Sequence, residues 1–441
     1  MYIRTSIAIL LSVLALSATA QKSKDLFEAH FSDSTLRVDY IMAGDSRHSS
    51  IYLDEARVDP AGWAGRRHHL DMMPLAGNGS VTVRSTADGT PLYHTTFSTL
   101  FNEWLSTDEA KTTSRAHQLV QLLPMPRHEV DIEVCLTGAR RDTIAKYIHR
   151  LDPADILVKR PSASHSVTPH RYIHHAGDSH DKIDVAIMAE GYTATQMDTF
   201  YHHAGIAVNS ILSHEPFVSM KDRFNFVAVA CESADSGVSI PRIGQWRDTA
   251  VRSHFSTFYS DRYLTTSAVK TIHDHLTGIP YEHIIILANT DEYGGGGIYN
   301  AYTLTTARHP MFKPVVVHEF GHSFGGLGDE YFYDDDVMTD TYPTDIEPWE
   351  PNVTTNPHRP KWHSLLQPGT PVPTPVEEAD KWPVGVYEGA AYSSRGMYRP
   401  ADHCRMRDNV TPAFCPACQW TIANLIDFYT NPASSASWTN D

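Results

Sequence analysis

Two histidines four residues apart, with a glutamate directly after the first, are the residues of this 441-residue chain best suited to bond-breaking chemistry. They are His318, Glu319 and His322, in the run VVVHEFGHSFGGLGDEYF. On a helix, a spacing of four puts both imidazoles on one face, where they can grip one ion. Zinc suits imidazole nitrogen, and a catalytic Zn2+ keeps one position open for water. Glu319 would project beside that position, take a proton from the activated water and later pass it to a leaving amine. The plainer reading is a core helix carrying two surface histidines. Three neighbouring features count against it. The apolar Val315-Val316-Val317 precedes the motif as it would on a buried helix, Gly325 and Gly326 end the helix a turn after His322, and Asp329 and Glu330 follow where a third ligand is needed.

A metzincin would carry its third histidine where this chain has Gly328, which offers no side chain. Asp329 comes one residue later, and glycine's freedom at positive φ would let the chain double back to bring it in. A carboxylate oxygen binds zinc at distances close to those of imidazole nitrogen. Glu330 is the rival ligand, with the longer reach; otherwise it supports the ligands from behind.

The segment HEFGHSFGGLGDEY resembles the HExGHxxxxLxDEY signature of the IgA-peptidase-type zinc metallopeptidases. The resemblance extends to KIDVAIMAEGY, to EYGGGGIYNAY before the motif, and to YEGAAYSSRGMYRP and CRM after it, so it covers most of the chain from Lys182 onward. Glu190 is a departure, standing where that family's segment would carry Asp. The resemblance implies a metallopeptidase of the zincin type acting on a protein or peptide, and it favours Asp329 as third ligand. Immunoglobulin A as a substrate rests on the resemblance alone.

Other residues carry weaker signals. Gly294 to Gly297, followed by IYNAYTLTT, read equally as a strand edging a cleft and as a mobile loop. Met406 could lie beneath the metal as a Met-turn, with Met397 as fallback and plain core packing as the alternative. Tyr398 and Tyr331 are candidates for donating a hydrogen bond to an oxyanion, though ordinary packing explains either. Asp334-Asp335-Asp336 suggests a calcium site only weakly, a solvated loop being commoner. His165, His170, His174, His175 and His180 read as solvated loop histidines.

Five cysteines are present, and Cys404, Cys415 and Cys418 fall close together. An oxidising compartment would pair Cys404 with Cys415 or Cys418. Cys415-Pro416-Ala417-Cys418 has redox-motif spacing, but such motifs open a helix after a strand, and here the pair reads as lying among loops.

The elements that must position these residues divide the chain. Residues 1–20 read as a signal peptide: Arg4, an apolar run, then Ala18-Thr19-Ala20. Residues 21–150 hold β-rich runs such as TLRVDYIMA, SVTVRST and EVDIEVCLTG, with a hairpin expected at Ala87-Asp88-Gly89-Thr90, which together suggest an all-β, sandwich-like accessory domain. Residues 151–181 read as a linker. Residues 182–441 alternate strands and helices, which argues for an α/β domain, and the motif makes it a zincin (metzincin-like) metallopeptidase domain. Beyond Tyr331 the chain reads as long loops until about Pro400, then closes with the helix QWTIANLIDFY.

At 441 residues the chain is too long for one ordinary core. A net charge of −16 argues against nucleic-acid binding. No stretch after the first twenty residues is long and apolar enough for a membrane span. These readings lead to a secreted, periplasmic or cell-surface enzyme of open oligomeric state. The competing function is an extracellular binding or adhesion module carrying a catalytically weak zinc domain; the intact Glu319 counts against it.

Overall fold

The structure, a computed structural model, describes residues 26–162, 166–333 and 341–434. The expected signal peptide 1–20, His165 and the acidic run Asp334–Asp336 lie outside them.

The N-terminal part holds β1 (Phe31–Gly44), β2 (Ser49–Asp59), β3 (Gly79–Ser85), β4 (Pro91–Phe97), β5 (Arg115–Pro126), β6 (Val130–Thr137) and β7 (Thr143–Leu151). They form two antiparallel sheets, ordered β2-β1-β5 and β4-β3-β6-β7. In β6, buried residues alternate with half-buried ones, the signature of a strand with one face on a core. Leu36, Val38 and Tyr40 of one sheet and Val81, Val83, Ile132 and Val134 of the other share a single apolar core, as in a sandwich. The expected hairpin joins β3 to β4, with Gly89 at φ +75°. This part is not strand throughout: a helix follows β4. Thr99 accepts a hydrogen bond from the Asn102 backbone N–H and caps a short helix, α1 (Leu100–Leu105).

The second part is built on a six-stranded mixed sheet of β8 (His170–His174), β9 (Ile183–Glu190), β10 (Phe224–Val229), β11 (His283–Ala288), β12 (Gly295–Ile298) and β13 (Tyr302–Thr306). Its order is β12-β13-β11-β9-β10-β8. The four inner strands are mutually parallel and the two edge strands antiparallel. Every residue of β9, β10 and β11 is buried, which explains their unbroken apolar runs. The helices are α2 (Met197–Ile211), α3 (Val269–Leu276), α4 (Phe312–Ser323) and α5 (Pro416–Thr430). Glu190 ends β9 fully buried; its carboxylate accepts from Thr249 Oγ1, Val251 N, Ser253 N and Ser253 Oγ at 2.6–2.9 Å and so anchors the loop beyond it.

Two expectations change. The segment read as a linker supplies β8, whose exposed histidines and tyrosine gave no apolar alternation. The stretch read as loops contains a small sheet of β14 (Phe332–Tyr333), β15 (Tyr387–Ala390) and β16 (Tyr392–Arg399), ordered β14-β16-β15. Its Gly, Ala and Ser residues are weak strand formers in sequence.

The two parts are joined by polar bonds as well as packing. Buried Arg37 of β1 pairs with Asp39 and with Asp274 of α3, each at 2.7 Å. Tyr299, just after β12, accepts from the Ser98 N–H, and Asn300 Nδ2 donates to Thr96 O at 2.8 Å.

Burial lowers His68 and His117 to about 4 and His283 to about 3; His283 sits between Phe324 and Tyr429 with its Nε2 unpartnered among the described residues. In the unfolded chain each takes a proton near pH 6.5, in the folded chain only far below that. The unfolded state therefore binds more protons in this window, so stability should fall as pH drops from about 6.5 toward 4. Thermal melts across that range test this, and His283→Phe should make the decline shallower.

Candidate metal centre

Helix α4 carries the motif. Val315, Val316, Val317, Phe320 and Ser323 are all buried, so the helix is enclosed rather than amphipathic. It ends at Ser323. Gly326 then takes φ +60°, and its N–H bonds to His322 O while the Leu327 N–H bonds to Gly321 O. This left-handed turn sends the chain back toward the helix. Asn352 clamps the returning segment, accepting from Gly328 N at 2.7 Å and donating to Gly328 O at 2.9 Å.

The outcome is a triangle of donor atoms. His318 Nε2 and His322 Nε2 are 3.0 Å apart, and Asp329 Oδ1 lies 3.2 and 3.3 Å from them. Each ring's other nitrogen is already committed: His318 Nδ1 donates to Arg405 O at 2.9 Å, and His322 Nδ1 donates to Leu327 O at 2.6 Å. That tautomer aims both Nε2 lone pairs at one point. Asp329 Oδ1 is buried and has no hydrogen-bond partner. Two lone pairs and a carboxylate oxygen converging in a buried space repel one another unless a cation lies between them, so these residues fit a metal ion.

Electrostatics agree. Burial alone would raise the Asp329 carboxyl, but the His322 and His318 rings hold it well below the usual range. Burial would lower His322, yet the Asp329 charge lifts it to about 9, so this site attracts positive charge. Burial pushes the Glu319 carboxyl up, with the histidines opposing. Part of Glu319 stays open to solvent, although surrounding atoms remove enough water to shift it.

The glycine run is strand β12, packed directly on α4. A Cβ on Gly295 would come within 2.6 Å of Glu319 Oε1, and one on Gly297 within 2.4 Å of Glu319 O. Only glycine permits this approach. On its outer edge, Gly295 forms a bridge with Tyr263.

Of the remaining expected residues, Met406 is fully buried against α4, where a Cβ on Gly321 would meet its Sδ at 2.8 Å. Met397 instead packs with Val353, Ala390 and Ala391. Tyr331 is half-buried, its ring 5.3 Å from that of Tyr392. Tyr398 pairs through its backbone with Thr354, and its phenol responds to burial and Glu388 rather than to the site carboxylates. The tyrosine that reaches the cluster is Tyr392, whose hydroxyl donates to Asp329 Oδ2 at 2.5 Å. Glu330 turns away from the histidines toward the cysteines.

The cysteine expectations need correction. Cys404, Cys415 and Cys418 are free, with Cys404 Sγ 3.8 Å from Cys418 Sγ, because the Glu330 carboxylate projects among them. Cys415 and Cys418 do open a helix: Cys415 caps α5. What sets them apart from a redox pair is burial, since both sulfurs are shut off from solvent.

Sequence reasoning missed three contributors. Tyr392 and Asn352 arrive through long-range packing. Glu103 reaches the site from α1 of the N-terminal part, receives a hydrogen bond from Tyr263, and is raised to about 7 by burial. No local pattern marks any of them, although YEGAAY had been singled out as a segment.

A helix offering two imidazoles and a glutamate, with a returning aspartate to complete the donor set, is an arrangement suited to a metallopeptidase. Two family models match the chain: Peptidase M64 N-terminus over residues 26–148, and IgA Peptidase M64 over residues 172–383. The chain belongs to this IgA peptidase M64 family, in its two-domain form. A comparison with curated proteins found no match.

Removing the Tyr392 hydroxyl should loosen Asp329 without removing a donor to the ion. Tyr392→Phe is expected to lower metal affinity by about 10-fold. Competition titration against a chelator checks this; unchanged affinity would make the hydroxyl irrelevant to the site.

Proposed function

We propose that this protein is an exported zinc-dependent endopeptidase of the zincin type, with His318, His322 and Asp329 holding the ion and Glu319 as general base. The observation that carries the reading is the donor triangle of 3.0–3.3 Å with Asp329 Oδ1 unpartnered. Zinc bonds of about 2.0–2.1 Å in tetrahedral geometry would put donor atoms roughly 3.3 Å apart. Nitrogen and oxygen donors from three residues suit a catalytic zinc, which takes its fourth ligand from water.

When bound, zinc supplies a water of near-neutral pKa and polarises the scissile carbonyl. The protein supplies the rest. Glu319 takes the proton of the attacking water and delivers it to the departing amine; its raised pKa brings donor and acceptor strengths closer at neutral pH. An extended substrate can run beside the Gly297 end of β12: strand alternation turns the Gly297 N–H and C=O to the outer edge, while those of Gly295 are taken by Arg262 O and Leu264 N. Because the Tyr392 hydroxyl is committed to Asp329, we assign Tyr331 to the oxyanion. Glu103 and Tyr263 wall the site from the other side.

Export is inferred from residues 1–20, and no helix among the described residues is long and apolar enough to cross a membrane. A protein substrate follows from the family; immunoglobulin A is one candidate among extracellular proteins.

Glu319→Gln keeps the side-chain shape but cannot accept the proton, so zinc content should stay unchanged while kcat on an unfolded protein substrate falls by at least about 100-fold. Near-normal turnover with verified metal would sink the mechanism, and a wild-type protein that cleaves nothing with zinc bound would favour the adhesion reading. Asp329→Ala should lose both metal and activity, measured by elemental analysis and the same assay.

A further inference from the structure

Behind the histidine–aspartate triangle lies a second set of donor atoms that peptide hydrolysis does not use. Cys404, Cys415, Cys418 and Glu330 are 0, 3, 0 and 0% exposed, and one ligand atom from each falls within 4.8 Å of all the others. We infer that these four residues form a second, structural zinc site.

The geometry argues for an ion rather than a disulfide. Cys404 Sγ and Cys418 Sγ are 3.8 Å apart, and Cys418 Sγ is 3.2 Å from Glu330 Oε1. Zinc–sulfur bonds of about 2.3 Å in a tetrahedron set sulfurs roughly 3.8 Å apart. Backbone N–H groups already point at the sulfurs: those of Met406 and Cys415 at Cys404 Sγ, at 3.4 and 3.3 Å, and that of Cys418 at Cys415 Sγ, at 3.5 Å. Such bonds stabilise thiolates, the form that binds metal. Glu330 Oε2 is buried with no hydrogen-bond partner, while Oε1 accepts from Asn352 Nδ2 at 2.9 Å. A disulfide would join two sulfurs and leave that carboxylate stranded; an ion satisfies all four groups. Three thiolates and a carboxylate carry the same charge as the four thiolates of a common structural zinc site. Soft sulfur donors favour zinc over magnesium or calcium.

The site would do mechanical work. Glu330 follows Asp329 in the chain, and its N–H donates to Met406 O at 2.9 Å. Cys404 precedes Arg405, whose carbonyl orients His318. Cys415 and Cys418 open α5. One ion would therefore fasten together the returning Asp329 segment, the turn beneath the helix and the last helix. The three cysteines lie outside residues 172–383 matched by the peptidase model.

The test isolates this site from the first. The full chain carrying His318→Ala and His322→Ala should retain one zinc per molecule by elemental analysis. Cobalt replacement in that variant should give a thiolate-to-cobalt charge-transfer band, and adding Cys404→Ser should abolish it. Should the double variant fail to fold, X-ray absorption at the zinc edge of the unaltered protein answers instead: two zincs with a sulfur shell near about 2.3 Å are expected. Absence of metal in the folded double variant, absence of a sulfur shell, or a Cys404 disulfide found by unreduced peptide mapping would overturn the assignment.

Discussion

The carboxylate of Asp329 sits in a buried space facing the lone pairs of His318 and His322, and much of the surrounding architecture exists to hold it there. With both rings neutral this arrangement is repulsive; positive charge placed between the donors turns it attractive, as the raised His322 and lowered Asp329 show. The neighbouring bonds make sense in that light. Carbonyls of Arg405 and Leu327 fix the imidazole tautomers, Asn352 grips both sides of Gly328, and Tyr392 secures the oxygen of Asp329 that points away from the histidines. Tyr392 adopts φ +65°, a conformation bulky residues seldom take, and the Ala391 N–H ties back to Asp329 O. Local strain is accepted where it aims a functional hydroxyl.

The second cluster, one residue further along, extends the same logic. Asp329 and Glu330 leave the backbone in opposite directions, one toward nitrogen and the other toward sulfur. A single turn thereby links two donor sets of different hardness through one peptide unit.

What could be read from the sequence was whatever is encoded locally. The His318–His322 spacing lies within one helical turn, and the return of Asp329 needs only the glycine turn that follows. The inner strands of the sheet announced themselves as apolar runs because they are buried on both faces. Elements without an apolar period, such as β8 and the β14–β16 sheet, stayed invisible, and α1 was hidden at the end of a strand. Tyr392, Asn352 and Glu103 reach the site over separations of tens to hundreds of residues, which no local motif records. The cysteines show the opposite error: their proximity was legible, but the intrusion of Glu330 between them was not, and proximity alone suggested a bridge.

The close approach of β12 to α4 has one more consequence. Gly295, Gly296 and Gly297 have no side chains, and the space that side chains would need is taken by Glu319, Tyr263 and His322. At Gly295 the outer amide groups are already paired with Arg262 O and Leu264 N, so a polypeptide alongside would meet the amide groups of Gly297, which are the same for every residue it could present. Any discrimination among side chains would have to come from the facing rim, where α1 and the Arg262–Tyr263 segment supply a carboxyl, a guanidinium and a phenol. The N-terminal part would contribute one of those three groups, Glu103, so both halves of the chain would face an extended ligand together.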